Sequence, residues 1–159
     1  MFLRYACAIT LSVVCMSNTY AQKPHEWEYL TGDWTFESSK GSTADVTWTL
    51  AADGNAVVGE WKGSDGTKSA ELVGWRGDKK ALVVNGYGSS NNYWHAEYTH
   101  VSANRCKGPA VVAYPDGTII KGTMVIERVD DNTVTGRLDG KNGDGADAKV
   151  TWSWTRKSR

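Results

Sequence analysis

Ten short runs rich in β-branched and aromatic residues follow one another along this chain, each closed by a turn signal or a loop. The runs are Asp33–Ser38, Ala44–Ala51, Ala56–Lys62, Lys68–Arg76, Lys80–Tyr87, Tyr93–His100, Cys106–Tyr114, Thr118–Val129, Thr133–Asp139 and Ala148–Arg156. Between them lie Ala52-Asp53-Gly54-Asn55, Gly63-Ser64-Asp65-Gly66, Gly77-Asp78, Gly88 to Asn92, Pro115-Asp116-Gly117 and Asp130-Asp131-Asn132. Gly, Asp and Asn tolerate the positive φ of tight hairpins, and Pro presets the first turn position. Short strands at such regular spacing mark an all-β sandwich or barrel. Sequential hairpins expose two sheet edges unless the sheet closes, and closure abolishes them. The expected fold is therefore an antiparallel up-and-down barrel of about ten strands, with a two-sheet sandwich as the alternative. No helical periodicity interrupts the strands, and only Pro24–Leu30 reads as a short N-terminal helical segment.

Length and charge narrow the function classes. One domain accounts for 159 residues. Eighteen Lys and Arg balance eighteen Asp and Glu, so the chain lacks the basic face that nucleic acid requires. With 40% apolar residues and eight tryptophans, it is not a disordered tail.

The first residues carry an address. Met1-Phe2-Leu3-Arg4 precedes an uncharged stretch from Tyr5 to Met16, and Thr19-Tyr20-Ala21 leads into Gln22. A basic start, a short apolar stretch and a small residue before a polar one make a secretory signal peptide. The stretch is too short to serve as a bilayer span, which takes ~20 residues. The chain thus divides into a signal peptide at 1–21, a short segment at 22–31 and one barrel domain at 32–157. An exported protein, periplasmic or extracellular, is expected, with no membrane span after cleavage. Cleavage would remove Cys7 and Cys15 and leave Cys106, so no internal disulfide is expected. Cys106 reads as a small buried hydrophobe.

Two motifs bear on the fold family. Leu30-Thr31-Gly32-Asp33-Trp34 opens the first strand and Trp152-Ser153-Trp154-Thr155-Arg156 closes the last. This pairing resembles the calycin group, which includes lipocalins, fatty-acid-binding proteins and avidin-like barrels. The resemblance implies a lipocalin-like barrel in which the Gly32-x-Trp34 tryptophan plugs one end and Arg156 stacks over it. Together with Gly74-Trp75-Arg76-Gly77-Asp78, the chain is most similar to bacterial secreted lipocalin-like families of unassigned function. It departs from the larger group in three ways. It has no lipocalin disulfide, no room for a helix pair between the first two strands, and no alignable biotin site beyond Ala52–Asn55.

The candidate ligand-binding residues are Trp48, Trp61, Trp75, Trp94, His95, Trp152 and Trp154. Alternation puts Trp152, Trp154 and Arg156 on one face with Val150, and Trp48 with Val46 and Leu50. Such aromatics either fill a small barrel or line a cavity for a flat apolar ligand, and ten strands are wide enough for a cavity. Glu71 shares a face with Val73 and Trp75. In the sixth run, His95 and Glu97 share one face, while Trp94, Ala96, Tyr98 and His100 share the other. His95 and Glu97 are the candidates for acid–base work.

No cofactor or metal is implied. His95 and His100 alternate to opposite faces, and no phosphate loop, dinucleotide fingerprint or nucleophile elbow is present. The Gly140–Asp147 loop lacks the terminal Glu and flanking helices of a calcium hand. A small hydrophobic or aromatic molecule is the expected partner, with binding ranked above catalysis. The alternatives are a protein-interaction or inhibitor module of the cell envelope, displaying Gly86–Tyr93, and an isomerase- or hydrolase-like barrel enzyme using His95 and Glu97.

Overall fold

The computed structural model describes residues 27–158. The expected signal peptide at 1–21, with Cys7 and Cys15, lies outside them, as do Pro24 and His25 of the short N-terminal segment. Glu28–Leu30 form a single 3₁₀ turn. Eleven strands follow: β1 Gly32–Ser38, β2 Thr43–Ala51, β3 Ala56–Gly63, β4 Lys68–Arg76, β5 Ala81–Gly88, β6 Tyr93–Tyr98, β7 His100–Ser102, β8 Arg105–Ala113, β9 Ile119–Arg128, β10 Thr133–Lys141 and β11 Asp147–Arg156. All pair antiparallel. Neighbours run β6-β5-β4-β3-β2-β1-β11-β10-β9-β8, and β8 returns to β6. The sheet has closed on itself. β6 and β7 act as one interrupted strand, so this is a ten-stranded barrel, and the sandwich alternative is excluded.

The interruption has a physical cause. β6 meets β8 with Ala96 opposite Ala110, whereas β7 meets it with His100 opposite Lys107. The register slips by one residue, which is a β-bulge around Thr99. Gly108 sits opposite the bulge, and any Cβ there would collide with the Glu97 carbonyl. The extra residue reverses the side-chain alternation beyond it. Val101, not His100, therefore turns toward the barrel interior, and His100 is exposed. Strict alternation assigns His100 to the Trp94 face, and the bulge overturns that assignment.

The last hairpin is tighter than its composition implies. β10 and β11 reach Lys141 and Asp147, which leaves only 142–146 as a loop. Asn142 Oδ1 accepts the N–H groups of Asp144 (3.1 Å) and Ala146 (2.9 Å), and Gly145 takes φ +81°. This is the self-capping turn that Asn favours.

One end of the barrel is sealed. Trp34 is 0% exposed, and its Nε1 donates to the Leu30 carbonyl at 2.6 Å. Arg156 lies directly opposite it in the β1–β11 ladder, with its guanidinium carbon 4.2 Å from the centre of the indole. Arg156 also donates to the carbonyls of Thr31 (2.7 Å), Asp131 (3.0 Å) and Tyr29. Planar, multi-donor Arg suits this combination of stacking and carbonyl binding. Burying an indole of ~150–250 Å² at ~25 cal/mol per Å² is worth about 4–6 kcal/mol before conformational entropy is counted. The 3₁₀ turn thus folds across the barrel end as a plug. Among the described residues, no helix is long and apolar enough to cross a membrane.

Candidate functional site

Above the plug, the barrel is hollow. A cavity of about 590 Å³ runs from a floor of Trp27, Tyr29, Leu30 and Val101 to a mouth between the 39–42 and 64–67 loops. Ligand cavities typically span ~300–1,000 Å³. Trp48, Trp61, Trp94, Trp152 and Trp154 all line it. Trp61 is the hub of the aromatic wall. Its ring centre lies 5.3 Å from Phe36, 6.0 Å from Trp48, 6.2 Å from Trp94 and 6.2 Å from Trp154. All four pairs meet edge to face, the geometry favoured by the aromatic quadrupole.

Glycines explain why three of these indoles do not fill the space. Trp48 stands opposite Gly59, Trp94 opposite Gly86 and Trp152 opposite Gly136 in adjacent strands. In each case the indole occupies the place where the glycine's Cβ would be; at Gly59 a Cβ would lie 2.7 Å from Trp48 Cζ3. The rings therefore lie back along the wall instead of crossing the lumen. Glycine inside a strand commonly marks such close approach.

The same pairing surrounds one acid. Reading around the barrel, Trp48, Gly59, Glu71, Gly86 and Trp94 stand in one cross-strand row. Trp94 passes over Gly86 to donate its Nε1–H to Glu71 Oε2 at 2.9 Å. Glu71 lines the cavity between Ser69 and Val73 of the same strand face. Its modest exposure is therefore to the lumen, and packed protein surrounds the rest of it. Burial pushes its pKa up to about 8, against a smaller downward pull from the Trp94 hydrogen bond. A carboxyl group held among indoles stays largely protonated at neutral pH.

The remaining candidates fall elsewhere. Trp75 shares the inner face of β4 with Glu71 and Val73 but lies below the cavity, packed on the core near the closed end. His95 is on the outer wall, where Nδ1 lies 2.9 Å from Asn85 Oδ1 and Nε2 3.4 Å from Glu97 Oε1. Glu97 also pairs with Lys79. Neither residue touches the lumen, so the acid–base pair sits where no enclosed substrate can reach it. The assignment of His95 as a ligand contact, and of His95 and Glu97 as an enzyme's catalytic pair, is corrected accordingly. Their side-chain parity is opposite to that of Trp94 and Tyr98, which turn inward. Among the described residues, no three His, Cys, Asp or Glu side chains group closely enough to hold a metal ion.

Sequence reasoning places Glu71 on the Val73 face but does not select it. The usable signal was the interior glycines Gly59 and Gly86 on either side of it. It also misses the floor, where Tyr98 donates its hydroxyl to Met124 Sδ at 3.0 Å and Arg128 lies 5.0 Å from the Tyr29 ring centre.

No protein-family model matches the chain, and no curated protein matches it. Among solved structures it is similar to a redesigned β-barrel, mFAP0, bound to DFHBI, at 16% identity and TM-score 0.44, covering 81% of this chain and all of that one. A second is a de novo designed fluorescence-activating β-barrel, at 14% identity and TM-score 0.40, covering 81% of this chain and 94% of that one. Likeness at this level adds nothing to the barrel read directly from the strand ladder.

Proposed function

We propose that this protein is an exported lipocalin-like barrel that carries a small, partly apolar ligand in its lumen. The observation that carries the reading is the cavity of about 590 Å³ whose tryptophan wall is held open by glycines. A barrel that needed aromatics only as filler would have no use for notches that keep them out of the centre. The export half rests on the first 21 residues, with their basic start, apolar stretch and Ala21–Gln22 junction.

Native mass spectrometry of protein purified gently from an exporting host tests both halves. The expected spectrum shows a chain beginning at Gln22, plus a reproducible extra mass that disappears on denaturation. An uncleaved chain overturns the export half. A bare mass overturns the carrier half if lipid and aromatic ligands also leave the tryptophan fluorescence unchanged.

One observation favours a second reading, a protein-interaction module of the cell envelope. Tyr87 is 64% exposed, and its ring lies 5.1 Å from that of Tyr93 on the outer wall. Exposed aromatics are enriched at protein interfaces. Capture of one stoichiometric partner that is lost in Tyr87→Ala would favour this reading.

A further inference from the structure

We propose that the lumen is built for an organic cation, an aromatic or alkyl amine whose ammonium meets the Glu71 carboxylate while indole faces cover its apolar body. This rests on the reading of the lumen as a ligand cavity and names the chemistry it selects.

Three features point to a cation. First, the charged side chains lining the cavity are Glu71, Lys40 and Asp65, and the latter two sit on the mouth loops. Among the described residues the interior thus holds one acid and no base. Second, Trp94 engages only Oε2 of Glu71, and no hydrogen bond to its other oxygen is described. That oxygen is left for a donor from the lumen, and an ammonium offers three. Third, Trp48 and Trp94 bracket Glu71 from the two neighbouring glycines. Indole faces attract cations and repel anions. The Nε1–H groups of Trp27 on the floor and of Trp61, Trp152 and Trp154 in the wall are sealed from the lumen and have no hydrogen-bond partner among the described residues. They offer an anionic or carbonyl ligand no donor.

Binding is coupled to a proton. The neutral Glu71 carboxyl gives up its proton as the ammonium arrives, leaving a carboxylate–ammonium pair and one released H⁺. The other titratable groups around the lumen are Tyr98 on β6, Cys106 on β8, Tyr114 beyond β8 and Tyr29 on the plug, with Lys40 and Asp65 at the mouth. Burial raises the pKa values of Tyr29, Tyr98 and Tyr114, so these three stay neutral through the range in which Glu71 titrates. Amine affinity should therefore climb about tenfold per pH unit below the Glu71 pKa and level off above it.

Calorimetry on the purified protein with three matched probes tests this: 2-(1-naphthyl)ethylamine, 2-(1-naphthyl)ethanol and 1-naphthylacetate. The amine is expected to bind at least about tenfold tighter than the alcohol, a difference of about 1.4 kcal/mol, with the acetate weakest. Glu71→Gln should abolish the difference between the amine and the alcohol. If the alcohol or the acetate matches the amine in the wild type, the lumen still binds ligands but the cation assignment falls. An amine preference that survives Glu71→Gln overturns the role of Glu71. If none of the three binds, both the carrier reading and this one fall. Should Glu71→Gln not fold, proton release by the wild type decides, measured in two buffers of different ionisation enthalpy. Close to one proton per amine at pH 7 supports the proposal, and none overturns it.

Discussion

The two ends of this barrel are made from the same materials and do different things. At the closed end an indole, Trp34, meets a cation, Arg156. In the lumen an indole, Trp94, meets an acid, Glu71. The difference lies in how completely each ion is satisfied. Arg156 gives three of its five N–H donors to backbone carbonyls and its face to the ring, so its charge is already well met by the protein. Glu71 has one described hydrogen bond and faces empty volume. A well-satisfied ion pins a fold together, while an under-satisfied one in a cavity stores binding energy for a partner.

The sharpest way to break this comparison is to cut the closed end. Trp34→Ala should cost about 3–5 kcal/mol of stability, as large aromatic truncations in cores do. It also leaves Arg156 without its stacking face. Chemical denaturation reads the loss directly. A variant within about 1 kcal/mol of the wild type, the scale of an ordinary point mutation, would show that the plug is not what closes the barrel.

Next in size is a pH effect that only the lumen should show. Glu71 titrates near 4.5 when exposed and about 8 in the folded barrel. Between those values the folded state holds a proton that the unfolded chain has released. Stability should therefore be greatest below pH 4.5 as far as this group is concerned, and should fall as pH rises to about 8. The loss is of order a few kcal/mol. Glu71→Gln removes the titrating group and should flatten that part of the curve. Denaturation midpoints at pH 5.5 and 8.5, compared between the two proteins, measure it. Equal slopes would place the titration elsewhere.

Much of this architecture was legible in the sequence. Turn chemistry at Gly54, Gly66 and Gly117, all with φ near +85°, punctuates the chain reliably because few other residues take that conformation. Period-two alternation then placed Val46 with Trp48, and Trp152 with Trp154, on the inner face. Alternation failed at Thr99, because a bulge is a decision made between two strands and leaves no periodic trace in either. The Gly108 that permits it is visible only as a glycine inside a strand. Glu71 escaped for a related reason. Its environment is set by Gly59 and Gly86, residues of two other strands that the ladder brings alongside it. The candidate His95 was misplaced because its parity follows that of Glu97, on the wall opposite to Trp94.

The smallest effect distinguishes the two ends most cleanly. Trp94→Phe keeps an aromatic ring that the Gly86 notch can accommodate but deletes the N–H that reaches Glu71. That hydrogen bond favours the charged carboxylate, so its loss should raise the Glu71 pKa further. The cost in stability should be about 1 kcal/mol where Glu71 is ionised, above pH 8, and smaller at pH 5, where a neutral carboxyl needs the donor less. The matching deletion at the closed end, Trp34→Phe, removes a donor from the neutral Leu30 carbonyl. Its cost should be about the same at both pH values, because no titrating group depends on it. A carboxyl-detected NMR titration of Glu71 and denaturation at pH 5 and pH 9 supply the comparison. If Trp94→Phe leaves the Glu71 titration unmoved, Trp94 does not tune the acid, and the contrast between a finished end and an unfinished one loses its electrostatic basis.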